Sequence, residues 1–389
     1  MRRVADPPSL LYNHFGAPLG GGRALIGGGI GDNLSHSDTC WVYDADTDEW
    51  SAVARLPVPT TNFYTNIAAA LPDGRVFVAG GSTPKDVYYT NPDPQDPWTL
   101  QFGGRNVFIF DPRDETRAPD GTVLPGRWEE RTKMPATATY RTHAPSFFGR
   151  LAIPLPEGQP NIEVGRVTHE TAVLPDGRVL LIGGREFEPG PFYGIAKVDM
   201  YDPEANVWTR LADMPAVPQD RDAGYGGRGF PGVAVRRDGK VLVFGGVTTR
   251  VIEGGAEHDG VVFAIFQPLR WMHRRSALLL DPDANEWRRV GDLNVARGGP
   301  VVASWPSDER TYVIAIGGEE LYGPDVVPAE VYDPDTETWS LLPPEPSVTF
   351  DSPLRHGAGL TDGTVLTWSS REDELSTVKR LHPSGLPSE

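Results

Sequence analysis

Histidine, glutamate and arginine side chains recur at two fixed places in an internal repeat, and these places hold the candidate chemistry of the chain. In the clearest copy, residues 168–184, His169 and Glu170 precede an apolar strand, while Arg185 and Glu186 follow a glycine pair. A histidine or carboxyl group beside a guanidinium can transfer a proton and stabilise an oxyanion. The residue types therefore predict acid/base catalysis by His169 and Glu170, provided that the fold brings the two places together.

The element that carries these residues is an antiparallel hairpin that repeats along the chain. Residues 168–184 read as two strands joined by Asp176-Gly177, because Asp-Gly favours the type I′ turn of hairpins. Residues 198–211 add two strands, with Tyr201-Asp202 before the turn and Trp208 after it. The glycine pair recurs at 28–29, 80–81, 245–246 and 317–318. A period of ~40–50 residues with four strands per copy predicts a β-propeller.

The number and order of the repeats predict one all-β domain over residues 1–389. We expect a six-bladed β-propeller of four-stranded antiparallel blades, with seven blades as the alternative if 136–164 is a degenerate blade. Insertions are predicted at 82–105, 113–127, 136–164 and 247–275. The last copy shows three strands, and we expect Ser9-Leu10-Leu11 to supply its fourth, because closing the ring removes an open sheet edge.

Several copies resemble the kelch repeat, in the bacterial form related to the propeller of galactose-oxidase-like proteins. The resemblance lies in PDGRVFVAGG (72–81), PDGRVLLIGG (175–184), MYDPEANVW (200–208) and VYDPDTETW (331–339), and it extends over nearly the whole chain. It specifies the fold more strongly than the function. It implies that the start of each inner strand and the residues after each glycine pair line one mouth of the central channel, where ligands bind.

That implied mouth collects a candidate binding site when the copies are aligned on their hairpins. The predicted substrate-binding residues are His14, Tyr64, Asn66, Arg185, Glu186, Arg297, Glu319, Arg355, His356 and Trp271, the last from the aromatic insertion 247–275. Such a set suits an oxygen-rich or anionic small molecule. The alternative for each residue is solvation of a water-filled channel or hydrogen bonding between blades. The insertion is expected either to cover the mouth or to pack on the rim or a second copy.

Two classes of function remain open, and a third is weaker. The first is a cofactor-independent enzyme of the isomerase, lyase or cyclase type acting on a small polar substrate. The second is a protein- or peptide-binding scaffold, which the resemblance also implies. The third is a copper-dependent oxidase, for which the related oxidases need a tyrosine–cysteine crosslink, whereas Cys40 precedes Trp41 and no adjacent Tyr-His pair occurs. No cofactor and no metal site are therefore predicted.

Composition limits the partners. The formal net charge of −17 argues against nucleic acid and against an anionic membrane surface, because neither can attract an acidic protein. One cysteine leaves no intrachain disulfide. No apolar segment is long enough for a signal peptide or a membrane span. We expect a cytoplasmic protein that is a monomer or a weak homodimer through an aromatic insertion.

Overall fold

The structure is a computed structural model, and its described part is built from β-strands. It describes residues 8, 13–31, 35–61, 67–84, 87–90, 99–140, 143–144, 153–154, 162–185, 187–188, 194–217, 227–250, 255–258, 261–264, 270–306, 311–318, 328–342, 356–359, 365–368 and 378–381. No α-helix occurs within these ranges. A search of the same residues found no helix with the length and apolar character to cross a membrane.

Thirty-four strands, β1 to β34, follow one another in the described residues. The first seventeen are Phe15–Gly20, Arg23–Gly27, Cys40–Asp44, Glu49–Ala52, Ala68–Ala70, Val76–Ala79, Val87–Thr90, Thr99–Phe102, Val107–Arg117, Val123–Glu130, Ala138–Tyr140, His143–Ala144, Ile153–Pro154, Ile162–Val164, Glu170–Val173, Val179–Ile182 and Phe187–Glu188. The remaining seventeen are Val198–Asp202, Val207–Arg210, Gly232–Val235, Val241–Phe244, Val247–Arg250, Gly255–His258, Val261–Ala264, Arg270–His273, Ala277–Asp281, Glu286–Arg289, Val301–Pro306, Thr311–Ile316, Glu330–Asp333, Thr338–Leu341, His356–Gly359, Val365–Trp368 and Val378–Leu381.

Six antiparallel sheets have the strand order predicted for blades. Four-stranded sheets are formed by β1–β4, by β5, β6, β9 and β10, by β15, β16, β18 and β19, by β20, β21, β26 and β27, and by β28–β31. A sixth sheet, β32–β34, has three strands in the described residues. We refer to them as blades one to six in chain order.

The first strands of these sheets pack against one another in chain order. β1 contacts β5, β5 contacts β15, β15 contacts β20, β20 contacts β28, and β28 contacts β32. This succession is the inner ring of a propeller, in which each blade presents its first strand to the central channel. The all-β, four-stranded architecture is thus confirmed, whereas the blade count of six stays a prediction. The closing segment Ser9-Leu10-Leu11 lies outside the described residues.

Insertions of the chain form β-hairpins. The segment 82–105 contains β7 and β8, and β8 also pairs with β17 of the next blade. The segment 136–164 contains the pairs β11–β14 and β12–β13, and 247–275 contains β22–β25 and β23–β24. These three segments leave the blades at the strand ends where inner strands begin. The fourth segment, 113–127, instead lengthens β9 and β10 into a ribbon at the opposite end, which we call the hairpin face.

Tryptophans on the outer strands join neighbouring blades. The indole N–H of Trp128 donates to the carbonyl of Ala54 at 2.9 Å, across the junction of blades two and one. Trp208 repeats this contact with the carbonyl of Thr132, and Trp287 with that of Ala212, both at 2.9 Å. Each ring thus adds a directed hydrogen bond to the apolar area that it buries.

Ion pairs between hairpin turns join the same blades at the hairpin face. Arg75 follows the Asp-Gly turn of blade two and contacts Asp73 at 2.6 Å and Glu204 of blade three at 2.7 Å. Such partly exposed pairs add little stability individually, but their repetition couples each inner turn to the outer turn of the next blade. Similar pairs join Arg178 to Asp176 and Asp283, and Arg236 to Asp238 and Glu337.

Glycine pairs allow the next blade to approach. Gly245 has a φ of 61°, and a Cβ atom there would lie 2.6 Å from the carbonyl oxygen of Arg297 in blade five. The neighbouring amide of Gly246 donates to that same oxygen at 2.8 Å. Positive φ and a close backbone contact together explain why glycine ends this strand.

Gly245→Ala tests this contact between blades four and five. Gly74→Ala is the matched control, because Gly74 also has a positive φ, 87°, but a Cβ atom there would meet no atom within 4 Å. We expect Gly74→Ala to cost about 1–2 kcal/mol from the backbone alone. Gly245→Ala should cost at least about 2 kcal/mol more, because the clash separates two blades. Equal losses in urea unfolding would contradict the close approach.

Candidate functional site

The two places singled out in the repeat meet at one end of the channel. Isolated antiparallel bridges join Thr61 to Ser82 in blade two and Val167 to Arg185 in blade three. Gly229 and Val247 form the same bridge in blade four. In each case a residue upstream of the inner strand pairs with the residue directly after the glycine pair. We call this end of the channel the mouth.

Backbone hydrogen bonds connect the blades around the mouth through residues in the left-handed conformation. Thr168, Phe230 and Gly299 occupy equivalent positions in blades three to five, with φ angles of 55°, 50° and 61°. The amide of Phe230 donates to the carbonyl of Thr168 at 3.3 Å, and that of Gly299 to the carbonyl of Phe230 at 2.9 Å. A β-branched or aromatic residue with positive φ is strained, and such strain is concentrated at functional sites.

Three arginines before the inner strands turn into their own blades. Arg166, Arg228 and Arg297 are completely buried. Each donates to the carbonyl of the first glycine of its pair, at 3.2, 2.9 and 3.0 Å respectively. Arg166 also pairs with Asp199.

Arg297, which the sequence assigned to a substrate, is held inside its own blade. Its guanidinium contacts Glu330 at 2.6 Å, and both side chains are 0% exposed. Glu330 also accepts from the backbone amides of Asn294 and Val295 at 2.7 and 3.0 Å. An ion pair closed in this way presents no donor to the channel, so substrate binding by Arg297 is not supported by its position.

Arg185 does lie at the mouth, but it is only 2% exposed. Its Nε donates to the Thr168 hydroxyl at 3.1 Å, and its guanidinium carbon lies 5.1 Å from the centre of the Phe230 ring. This is cation–π distance. The two strained residues therefore fix the orientation of Arg185, while the Phe230 side chain itself stays partly exposed.

His169 is buried, contrary to the role in proton transfer that the sequence predicts. It is 0% exposed, and a Cβ atom on Gly80 of blade two would lie 2.8 Å from its ring. Burial, followed by the charge of Arg166, lowers its pKa to about 3, with the backbone of Ala79 acting in the opposite direction. A neutral imidazole wedged between two blades fills space, and this position argues against contact with a substrate.

Glu170 keeps the exposure that a binding residue needs. Its side chain is partly exposed, and burial alone raises the pKa of its carboxyl from 4.5 to about 8. A group that is deep in the protein and still accessible fits the wall of a narrow channel. Perturbed carboxyls in concave sites are candidates for function.

The other predicted site residues are only partly described. His14 lies just before β1 and is partly exposed. Trp271 lies in β25, and His356 begins β32 at the register position that Glu170 has in β15. Tyr64, Asn66, Glu186, Glu319 and Arg355 lie outside the described residues.

The sequence reasoning missed a histidine next to the mouth. His273 ends β25 and pairs with Val247, and a Cβ atom on Gly298 would lie 3.1 Å from its ring. Burial lowers its pKa to about 4. The only sequence signal was its place at the end of the insertion, and only the pairing of β22 with β25 brings it to the mouth.

Metal chemistry finds little support in the described residues. Within them, no three histidine, cysteine, aspartate or glutamate side chains come together in a possible metal site. Cys40 is buried, and burial raises the pKa of its thiol to about 12. It packs beside Phe15 and Gly27 in blade one, so a thiolate ligand is not expected there.

Comparisons with known proteins agree with the repeat. Residues 171–215 match the family model described as Kelch motif. A putative F-box/kelch-repeat protein of Arabidopsis thaliana is 31% identical over 144 residues, which cover 37% of this chain and 35% of that protein. Kelch-like protein 15 of Homo sapiens is 24% identical over 250 residues, which cover 63% of this chain and 29% of that protein. The chain thus spans about a third or less of the curated relatives that it matches.

A solved structure supports the fold over most of the chain. The structure of YjhT aligns with a TM-score of 0.55 and 16% identity, covering 87% of this chain and 86% of that one. At this identity the likeness concerns architecture alone.

Arg297→Leu tests whether this arginine serves the blade. It would leave Glu330 buried without its ion-pair partner, so we expect a loss of about 3–5 kcal/mol in the free energy of unfolding. Arg289→Leu is the control, because Arg289 is part-exposed and pairs with Asp292 at the surface; its loss should be about 1 kcal/mol or less. A stable Arg297→Leu variant with impaired ligand binding would restore Arg297 to the site.

Glu170 should make stability depend on pH. Below pH 4.5 its carboxyl is protonated in both states, and between 4.5 and about 8 only the unfolded chain ionises. The free energy of unfolding should therefore fall as the pH rises through this window. Glu170→Gln should remove this loss when urea unfolding is measured at about pH 5 and about pH 8. Glu115→Gln, at an exposed glutamate, is the control and should still lose stability between these two pH values. The raised pKa would be contradicted if Glu170→Gln kept the pH dependence of the original chain.

Proposed function

The chain is a kelch-repeat β-propeller, and on that premise we propose that it is an interaction module that binds a partner polypeptide at the mouth. The observation that carries this proposal is the placement of the insertions. Segments 82–105, 136–164 and 247–275 arise at blades two, three and four in succession, all at the mouth end of their strands. Their described strands pair into hairpins, and all three segments begin at this one end of the blades.

The side chains at the mouth suit recognition better than the predicted catalysis. His169 and Arg297 are both 0% exposed, which supports recognition over acid/base catalysis through these two residues. Phe230 is partly exposed and lies against the guanidinium of Arg185. A rigid aromatic ring with an oriented cation beside it is typical of an anchor in protein interfaces.

The relatives point in the same direction. The curated matches carry kelch repeats together with an F-box or bear the name Kelch-like, and the chain covers only a part of each. The resemblance implies peptide recognition at this end of the propeller. The oligomeric state, a monomer or a weak homodimer, stays a prediction from the sequence. The cytoplasmic location stays a prediction as well.

A small-molecule enzyme is the second candidate, and Glu170 is the observation that favours it. A carboxyl with a pKa near 8 can serve as a general acid at neutral pH. In that case an isomerase or lyase would act through Glu170 without His169. This candidate would be favoured by turnover of a polar substrate that Glu170→Gln abolishes.

Selection from a random peptide library tests the interaction proposal. We expect selected peptides to bind with one saturable site, and Phe230→Ala to weaken them about tenfold or more, since loss of an interface aromatic often costs over 1 kcal/mol. Val123→Ala is the matched control, because Val123 is 44% exposed on the ribbon of the hairpin face. Thermal unfolding of both variants checks the fold.

Two results would contradict the proposal. The first is that no peptide is enriched. The second is that peptide binding responds to Val123→Ala and not to Phe230→Ala, which would move the interface to the hairpin face.

A further inference from the structure

One register position of the inner strands differs in blade three. At this position, a residue of the inner strand pairs with the residue that directly precedes the glycine pair. Blades one, two, four and five have a buried residue here, namely Phe15, Ile67, Gly232 and Val301. In blade three this residue is Glu170, which pairs with Ile182 and is partly exposed. A carboxyl therefore stands where blades one, two, four and five have an apolar side chain or glycine, and where blade six has His356.

The carboxyl of Glu170 makes no hydrogen bond and no ion pair with any residue in the described ranges. The flanking residues share this property, because both ring nitrogens of His169 and the hydroxyl of Thr171 are buried and make no hydrogen bond of normal geometry in the same ranges. Buried polar groups are normally satisfied, and leaving one unsatisfied destabilises the protein. Glu170 differs from His169, which fills space between two blades, because the Glu170 side chain is partly exposed and can meet a ligand.

The charged groups nearby are engaged elsewhere. Arg166 and Arg228 bond the backbone of blades three and four, and Arg185 bonds Thr168 and lies on Phe230. Burial is the only cause that shifts the pKa of Glu170. No described charge therefore holds this carboxyl in its ionised form, and at neutral pH it remains mostly an uncharged acid that both donates and accepts.

We propose that Glu170 binds an uncharged primary carboxamide of the partner, from an asparagine or glutamine side chain, inside the channel mouth. This inference rests on the proposed interaction function and names the chemical group that the partner inserts. The carboxyl O–H donates to the amide carbonyl, and the carboxyl C=O accepts from the amide N–H. Because the carboxyl and the amide are both uncharged, these two hydrogen bonds form without the cost of removing a charged group from water.

Other ligand groups fit this position less well. A cationic group would require ionised Glu170, and the desolvation of both charges can exceed their attraction. A carboxylate would place a second desolvated acidic group beside Glu170. A purely apolar group would leave the carboxyl unsatisfied. The amide alone satisfies donor and acceptor together.

The test uses acetamide, methylammonium and acetate as probes, titrated into the whole chain and followed by the backbone amide NMR signals of Glu170 and Thr171. We expect a saturable shift with acetamide and weaker shifts with the two ions. Glu170→Gln should bind acetamide within about threefold of the original chain, since a carboxamide also donates and accepts. Glu170→Ala should lose about tenfold or more, and Glu115→Gln should change nothing.

Binding should also weaken above the pH at which Glu170 ionises, and Glu170→Gln should abolish that dependence. Preference for methylammonium or acetate, acetamide binding that persists in Glu170→Ala, or no saturable shift would each overturn the proposal. Selected peptides that require Phe230 but tolerate Glu170→Ala would overturn it while leaving the interaction function intact. If no peptide is selected but acetamide still binds at Glu170, the interaction function would be contradicted while the carboxamide site would stand.

Discussion

The fold depends on a buried guanidinium that binds the backbone of its own blade. In blades three to five, Arg166, Arg228 and Arg297 donate to the carbonyl of the first glycine of the pair. In blades four and five, the carbonyl of that arginine accepts from the second glycine of the preceding blade. One residue thus satisfies the end of its own sheet and joins it to its neighbour. Because a guanidinium stays charged when buried, losing any one of these contacts is costly.

This use of arginine determines which side chains are left for the channel. Arg297, which the aligned repeats place at the mouth, is withdrawn into its own blade, and His169 fills the gap beside the glycines of blade two. Among the described residues at the mouth, a strained aromatic residue, Phe230, and a desolvated carboxyl, Glu170, stay partly exposed. The backbone strain at Phe230 and the desolvation of the Glu170 carboxyl both reduce the stability of the fold, which is typical of residues retained for binding.

The two faces of the ring differ for a topological reason. Strands two and four end at the mouth, so insertions between strands two and three or between blades must emerge there. The hairpin face instead receives short turns, tied by arginine–carboxylate pairs such as Arg75 with Glu204. Only the ribbon formed by β9 and β10 extends from it in the part of the chain that the structure describes. In the described ranges the ring is therefore regular on one side and variable on the other, and the proposed recognition uses the variable side.

The resemblance to kelch repeats implied that strand starts and post-glycine residues meet. The sequence by itself determined the repeat, the four-stranded sheets and the Asp-Gly turns, because these follow from local periodicity and from glycine at positive φ. It also singled out Glu170. Only the tertiary structure decided that Arg297 and His169 point inward and that His273 reaches the mouth. The direction of a side chain at a strand end depends on which carbonyl or glycine the neighbouring blade places beside it. The local sequence pattern of one repeat does not contain this information, because the neighbouring blade comes from a distant part of the chain.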